Sequence, residues 1–344
     1  MGGGTAVTGL AFRVLLVGRG LRALVRGLFD GESLVAVGPP EAEYAGAEGV
    51  VRRHFPDVLL VDLLSSEALG AIERVMAVRP TPILALHPGV LTGQQAFQAL
   101  ALGALDVMDR PMSPGPDFWA AVGRKLVMLA QVKGVRSPPA SPRASRAQQA
   151  QEGPTAPFPL VALAASLGGP KAVAQVLRMI PRGFPAPIAY CQHISQGFTE
   201  GLAHWLSTET ALRVVEATHD AWMEPGTVYI APSGGHLLVK SDGRLELDSG
   251  PALRGFRPSC DMLLTSAGEA FGSRCIGVIL TGMGRDGARG LKEIRERGGR
   301  TIAQDEATCV VYGMPREAVL LGAAQQVLPL DVIAPTLVQW VDAC

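Results

Sequence analysis

Short apolar runs alternate with segments of helical periodicity along the N-terminal part of the chain. The runs are rich in Val, Leu and Ile, which predicts buried β-strands, and apolar residues spaced three and four positions apart between them predict amphipathic helices. The predicted strands are Phe12–Val17, Asp57–Asp62, Pro82–Leu86 and Leu105–Asp109, and a closing helix covers Phe118–Gln131. This alternation predicts an α/β fold with a flavodoxin-like, doubly wound parallel sheet.

The periodic pattern stops between residues 133 and 157. Pro, Ser, Ala, Gln and Arg dominate this segment, which has no periodic apolar positions. Such a composition buries too little apolar surface to offset the entropy lost on ordering, so we expect a flexible linker. It separates a first domain at residues 1–132 from a second at residues 158–344.

The second domain resumes the alternation of strands and helices. Its clearest buried strands are Leu160–Ala164, Pro187–Gln192 and Cys275–Leu280. Between the second and third of these, shorter β-like runs are joined by the turn sequences PSGG and SDG, which favour hairpins. The pattern predicts a second doubly wound, mostly parallel sheet with an antiparallel portion.

Composition and charge narrow the class of protein. In the 344 residues, 31 Lys and Arg balance 31 Asp and Glu, so overall charge indicates neither nucleic acid nor a membrane surface as a partner. The five cysteines are scattered singly, which argues against a disulfide framework or a structural zinc site and favours a reducing compartment. No apolar run reaches the ~20 residues that cross a bilayer, so an intracellular protein without membrane insertion is expected.

Ser166, His193 and Asp286 each follow a predicted buried strand of the second domain. The carboxyl ends of parallel strands lie along one edge of a sheet, so these three side chains are expected to converge there. Ser166 lies in a small-residue turn between a strand and a helix, as in a nucleophile elbow. A serine, a histidine and a carboxylate together suit acyl transfer, and a triad is defined by geometry rather than chain order.

Two other interpretations of these residues stay open. Ser166 alone could be a turn residue or helix N-cap, and His193 a hydrogen-bonded residue at a strand end. The segment Gly282–Gly287 also matches G-x-G-x-x-G after a strand, with Asp305 about 20 residues on, which indicates an NAD(P)-binding oxidoreductase. Against that alternative, Asp286 would place a carboxylate beside the pyrophosphate.

Several sequence blocks, in order, resemble the chemotaxis protein-glutamate methylesterases of the CheB family. The similarity covers the second domain from Leu160 to about Ile333. The matching blocks are ASLGGP, QHISQGFTEGLA, EPGTVYIAPSGGHL, RPSCDMLLTSA, GVILTGMGRDGARGL and GGRTIAQDEATCVVYGMPREAV. Six blocks in one order make this resemblance specific.

The resemblance implies roles for individual residues. It places the nucleophile at Ser166, the base at His193 and the third triad member at Asp286. The backbone N–H of Met283 is implied to help hold the oxyanion. Leu167 replaces the family's Thr, which removes a hydroxyl beside the nucleophile but leaves the Leu167 backbone N–H in the oxyanion hole.

The first domain resembles a response-regulator receiver, and Asp62 falls on the phosphoacceptor position. Gly18-Arg19 replaces the family's acidic pair, His87 its Ser/Thr and Arg110 its Lys. These departures remove the groups that hold Mg²⁺ and respond to the phosphoryl group. A degenerate receiver is therefore expected, in which Asp62 is not a working phosphorylation site.

The resemblance implies a cytoplasmic hydrolase of a chemotaxis pathway that needs neither cofactor nor metal. Its reaction is hydrolysis of glutamate γ-methyl esters, with deamidation of receptor glutamines as a second activity. The implied partner is the cytoplasmic domain of a methyl-accepting chemoreceptor, and a chemotaxis histidine kinase is a further candidate partner. A serine esterase for small molecules and a catalytically silent signalling adaptor remain alternatives.

Overall fold

A computed structural model of the chain describes residues 11–29, 33–39, 42–88, 94–132, 158–194 and 197–344. Contacts between Cα atoms divide the chain into two compact units, Met1–Pro139 and Ala140–Cys344. The predicted linker at residues 133–157 lies outside the described residues. Among the helices described, none is long and apolar enough to cross a membrane.

The first unit contains one five-stranded parallel sheet with the order β2-β1-β3-β4-β5. This is the flavodoxin-like order that the alternating pattern predicts. Helices α2, α3 and α4 pack side by side, and α5 packs over β1 and β3. The elements are β1 (Phe12–Val17), α1 (Leu21–Leu24), β2 (Leu34–Ala36), α2 (Ala47–His54), β3 (Val58–Asp62), α3 (Glu67–Val78), β4 (Ile83–Pro88), α4 (Gln94–Leu102), β5 (Asp106–Arg110) and α5 (Pro116–Ala130).

The second unit is built on a seven-stranded parallel sheet with the order β14-β13-β12-β6-β7-β9-β8. Its strands are β6 (Leu160–Ala165), β7 (Ile188–Gln192), β8 (Arg213–Glu216), β9 (Thr227–Ile230), β10 (His236–Val239), β11 (Leu245–Asp248), β12 (Cys275–Ile279), β13 (Arg300–Gln304) and β14 (Gln326–Leu328). Its helices are α6 (Gly169–Arg178), α7 (Thr199–Glu209), α8 (Cys260–Phe271), α9 (Ala288–Glu296), α10 (Met314–Leu320) and α11 (Leu330–Asp342). The predicted fold class is confirmed.

The antiparallel portion is smaller than the turn sequences suggest. Among the strands of the described residues, only β10 and β11 pair antiparallel, as a separate two-stranded sheet. β8 and β9 lie parallel to each other and to β7 in the main sheet. The turn sequence SDG does close the β10–β11 hairpin, whereas PSGG connects two different sheets.

One face of the main sheet packs on helices α8 and α9. Alternate residues of β6 point to this face, because successive side chains of a strand point to opposite sides of its sheet. Leu160, Ala162 and Ala164 are fully buried there with Leu264 of α8 and Leu291 of α9. The small side chains of β6 let α8 pack closely on this strand, and α9 packs on the neighbouring β12 and β13.

Candidate active site

The strand order of the second unit reverses at β6. From β6 the chain builds outward through β7, β9 and β8 on one side and through β12, β13 and β14 on the other. Such a switch point leaves a crevice at the carboxyl ends of the strands, where ligands of open α/β sheets bind. Ser166 follows β6, His193 follows β7 and Asp286 lies in the loop after β12, so all three are at this edge.

Ser166 is held in a tight turn between β6 and α6. Its backbone N–H donates to the carbonyl of Thr281 at 3.1 Å, which ties the turn to the loop after β12. Its carbonyl accepts from Gly169 N at 2.9 Å and from the Gln192 side-chain amide at 2.7 Å. Gly168 has φ 77° and caps α6, so the turn requires a residue without a side chain there.

His193 contacts Asp286 through one ring nitrogen and leaves the other free. Nε2 lies 2.8 Å from Asp286 Oδ2, and the backbone N–H donates to Ala165 O at 3.1 Å. The Phe256 ring stacks on the imidazole with 4.1 Å between centroids and 8° between planes. Nδ1 is buried and has no hydrogen-bond partner among the described residues. With Nε2–H donated to Asp286, Nδ1 carries the lone pair that can accept a proton.

Asp286 is buried and fully hydrogen-bonded. Besides His193, its carboxylate accepts from the Ser259 hydroxyl at 2.9 Å and from the backbone N–H groups of Cys260 and Asp261 at 2.7 and 3.1 Å. These donors form the N-terminus of α8, where unpaired N–H groups favour an anion. Burial would raise the pKa of Asp286, but His193 and these N–H groups outweigh it and lower the pKa. The carboxylate therefore stays ionised.

The pKa values of His193 and of the neighbouring Cys260 are shifted by burial and by their contacts. Burial lowers the pKa of the His193 imidazole, whereas Cys260 and Asp286 beside it raise it, and the net shift is upward. Burial raises the pKa of the Cys260 thiol well above its ordinary value. The charged partner of the imidazole is therefore Asp286, while Cys260 is a neutral thiol whose Sγ lies 3.5 Å from His193 Nε2.

Two backbone amides near Ser166 are free to bind a ligand. Neither the Leu167 N–H nor the Met283 N–H donates a hydrogen bond to another described residue. The Leu167 carbonyl accepts from the Thr281 hydroxyl at 3.0 Å, which fixes that peptide. The Leu167 side chain is buried, so the substitution of Thr by Leu adds core packing beside the turn and leaves the amide in place.

Sequence reasoning missed the residues that support Asp286 and His193. Ser259 reads as an ordinary helix N-cap, and its hydroxyl does lie within reach of Met262 N. Its own N–H donates to His236 Nδ1 at 3.1 Å, so fully buried His236 is a structural residue. Phe256 precedes this cap in an irregular segment with no periodic signal. Only the block RPSCDMLLTSA marked the region.

The first and last glycines of the Gly282–Gly287 pattern are required by close packing, and Gly284 by its φ of 89°. A Cβ on Gly282 would lie 2.3 Å from Met314 Sδ and 2.8 Å from Ser166 Cβ. Gly287 caps α9 with φ 92°, and a Cβ there would approach Cys260 Cβ to 3.1 Å. The pattern is thus explained by close packing around Ser166 and α8 and by backbone conformation, without a dinucleotide.

Asp62 in the first unit is enclosed by other side chains. Asp62 is fully buried, and Arg110 Nη2 lies 3.3 Å from its Oδ2. The Tyr44 hydroxyl donates to the Asp62 carbonyl at 2.6 Å. A Cβ on Gly18 would lie 3.1 Å from both the Tyr44 hydroxyl and Asp62 Cβ. Burial raises the pKa of Asp62 although Arg110 lowers it, and the net shift is upward.

The chain is similar to known protein-glutamate methylesterases over most of its length. The CheB methylesterase family profile matches residues 161–337. The chain is 74% identical to the protein-glutamate methylesterase FrzG of Myxococcus xanthus. The alignment covers 97% of this chain and 100% of FrzG. It is 45% identical to a protein-glutamate methylesterase/protein-glutamine glutaminase 2 of Anaeromyxobacter dehalogenans over 86% of each chain. The crystal structure of the Thermotoga maritima CheB methylesterase catalytic domain, 39% identical, matches with TM-score 0.52 and covers 54% of this chain and 100% of that one. The chain therefore belongs to the CheB methylesterase family.

Proposed function

We propose that this chain is a protein-glutamate methylesterase with Ser166 as nucleophile, His193 as base and Asp286 as the residue that orients the base. The observation that carries the proposal is the His193–Asp286 pair with Nδ1 left free, at the sheet edge where Ser166 turns into α6. Family membership supports the same activity. The substrate class is the γ-methyl ester of a glutamate side chain.

The first half of the reaction forms an acyl-enzyme. Ser166 Oγ attacks the ester carbonyl carbon while His193 Nδ1 takes the hydroxyl proton. The negative charge that develops on the carbonyl oxygen is stabilised by the free N–H groups of Leu167 and Met283. Asp286 stabilises the imidazolium, which then protonates the leaving methoxide as methanol.

The second half restores the serine. Water attacks the acyl carbon, His193 again takes a proton, and the carboxylate of glutamate leaves as Ser166 recovers its hydrogen. A glutamine side chain fits the same sequence of steps, with ammonia as the leaving group in place of methanol. We therefore extend the proposal to protein-glutamine deamidation.

The proposed partner is the cytoplasmic domain of a methyl-accepting chemoreceptor, which places the reaction in the cytoplasm. A chemotaxis histidine kinase is a further proposed partner through the first unit. The names of the relatives support an ester on a protein substrate rather than on a small molecule.

The proposal is tested by methanol release from methylated receptor cytoplasmic segments. Ser166→Ala removes the attacking oxygen, so turnover should fall by about 10³-fold or more while the protein stays folded. Ser241→Ala, at an exposed turn, is the matched control and should retain full activity. Substantial methanol release by folded Ser166→Ala would rule out this nucleophile.

A further inference from the structure

A thiol lies beside the triad and has no part in ester hydrolysis. Cys260 Sγ is 3.5 Å from His193 Nε2, which in turn is 2.8 Å from Asp286 Oδ2. The nitrogen, sulfur and oxygen atoms all lie within 4.8 Å of one another. Cys260 is fully buried, and its backbone N–H donates a hydrogen bond to Asp286. The thiol donates to the Cys191 carbonyl at 3.7 Å, so its sulfur lone pairs face His193 without another donor among the described residues.

We propose that His193, Cys260 and Asp286 form an inhibitory site for a thiophilic divalent cation, with Zn²⁺ as the best fit. Imidazole nitrogen, thiolate sulfur and carboxylate oxygen are the three ligand types that zinc takes in proteins. Bonds of about 2.3 Å to sulfur and about 2.0 Å to nitrogen place those ligand atoms about 3.5 Å apart in a tetrahedron. The observed separation of Sγ and Nε2 is 3.5 Å.

The third ligand requires a small adjustment. In a tetrahedral site the nitrogen and carboxylate oxygen are separated by about 3.4 Å, so Asp286 and His193 move apart by roughly half an ångström. The His193 side chain is 10% exposed whereas Cys260 is fully buried, so the cation enters the cluster from the His193 side. A water or a crevice ligand completes the coordination, as in open zinc sites.

The cation stops catalysis by exchanging the proton positions on His193. Zinc bonds to Nε2, so the one proton of the neutral ring moves to Nδ1, and the Cys260 S–H proton passes to solvent as the Zn–S bond forms. Nδ1–H can no longer accept the proton of Ser166. This inhibition rests on the proposed esterase function, whereas binding of the metal does not.

Binding is tested on the full chain without any esterase assay. Zn²⁺ is titrated calorimetrically at free concentrations fixed by a chelator, and Co²⁺ replaces it as a probe because a cobalt–thiolate bond gives a near-ultraviolet charge-transfer band. We expect one ion per chain and the sulfur band for the wild type. Hard, oxygen-preferring Mg²⁺ should not compete.

Cys260→Val removes the sulfur and keeps an apolar side chain of similar size. Loss of the thiolate ligand should weaken zinc binding by at least about 100-fold, because loss of a residue that only hydrogen-bonds to a metal ligand already costs up to about that much. The cobalt–thiolate band should disappear. Cys309→Ser, at a partly buried cysteine outside the cluster, is the matched control and should keep both signals. Unchanged zinc binding in Cys260→Val would overturn the proposed site. A wild-type chain that binds cobalt without the sulfur band would also overturn it, and this second test does not depend on whether the variant folds.

The inhibition is measured separately as methanol release with and without Zn²⁺, relative to the metal-free activity of each variant. Zinc should inhibit the wild type and Cys309→Ser reversibly on chelation, and Cys260→Val should need at least about 100-fold more zinc. An active enzyme that binds zinc without inhibition overturns the inhibitory role. An inactive chain that keeps the cobalt band contradicts the proposed function and leaves the metal site standing.

Discussion

The carboxylate of Asp286 has one arrangement that satisfies all its donors. Oδ2 accepts from His193 and Cys260 N–H, and Oδ1 accepts from the Ser259 hydroxyl and Asp261 N–H. An amide in its place offers only one acceptor oxygen. Its NH₂ group would face another hydrogen-bond donor. Either two buried donors would then lack an acceptor, or the His193 ring would change to its other tautomer.

Asp286→Asn should therefore lower turnover by about 10⁴-fold, because the tautomer that leaves Nδ1 free for Ser166 is no longer favoured. Methanol release gives the rate, and circular dichroism checks the fold. Asp342→Asn, at an exposed position of the last helix, is the control and should be fully active. Activity of Asp286→Asn within tenfold of the wild type would contradict the role of Asp286.

Phe256 covers one face of the imidazole at a centroid distance of 4.1 Å. When His193 becomes cationic during proton transfer, the aromatic face attracts it by about 0.5–1 kcal/mol. Phe256→Leu should thus lower kcat about two- to fivefold with little change in KM. Phe118→Leu in the first unit is the control, and an unchanged kcat in Phe256→Leu would show that the stack does not assist the transfer.

At the residue scale the sequence placed Ser166, His193 and Asp286 at one sheet edge because the carboxyl ends of parallel strands must meet there. That inference needed only the strand positions. The sequence did not predict the roles of Cys260 and Phe256, because their contacts depend on how α8 and the segment before it pack against the sheet. This approach is set by long-range packing, which no local pattern encodes.

At the scale of elements, one side chain joins the two helices that carry the site. Asp261, in the first turn of α8, accepts through Oδ1 from the N–H groups of Gly287, Arg289 and Gly290 at 2.9, 3.1 and 3.0 Å. These are the otherwise unpaired donors at the start of α9. A Cβ on Gly290 would lie 2.6 Å from Leu264 Cβ, so the helices are in close contact.

Asp261→Ala leaves buried N–H groups without a partner, so we expect the free energy of unfolding to fall by about 1–3 kcal/mol. Urea denaturation measures it. Turnover should fall too, because the loop that carries Asp286 leads directly into α9. Asp261→Asn keeps an acceptor oxygen in place and should lose less stability than Asp261→Ala. Equal losses in the two variants would mean that the oxygen does not cap α9.

The alternation of apolar runs predicted elements well where they are long. β1 is Phe12–Val17 as expected, and β12 differs from the predicted strand by one residue. β2 has only three residues, too few to show a period. The predicted antiparallel portion is confirmed at β10 and β11, but the turn sequences did not show which strands would form it, because strand direction depends on distant partners that a short apolar run does not identify.

At the scale of the whole molecule, the order β2-β1-β3-β4-β5 sets Asp62 at the carboxyl edge of the first sheet, where the sequence resemblance to a receiver implies the phosphoacceptor. Arg110 is the one charged side chain within ion-pair distance of Asp62 among the described residues. Arg19, which follows Gly18, is mostly exposed and pairs with Glu43 at 3.3 Å. The guanidinium beside Asp62 therefore comes from β5 and not from the loop after β1.

Phosphoryl transfer to an aspartate needs Mg²⁺ held by neighbouring carboxylates, because negative charge otherwise repels the donor. Here Gly18 brings no carboxylate, a Cβ at this position would already lie 3.1 Å from the Tyr44 hydroxyl, and Arg110 Nη2 lies 3.3 Å from Asp62 Oδ2. We predict that acetyl phosphate or phosphoramidate with Mg²⁺ neither labels Asp62 nor stimulates methanol release. Intact-mass analysis after treatment tests this prediction, with Asp62→Asn as the control. One phosphate per wild-type chain that is absent from Asp62→Asn, together with faster methanol release, would contradict it. That result would mean that Arg110 leaves room for the metal and that the first unit is a working switch.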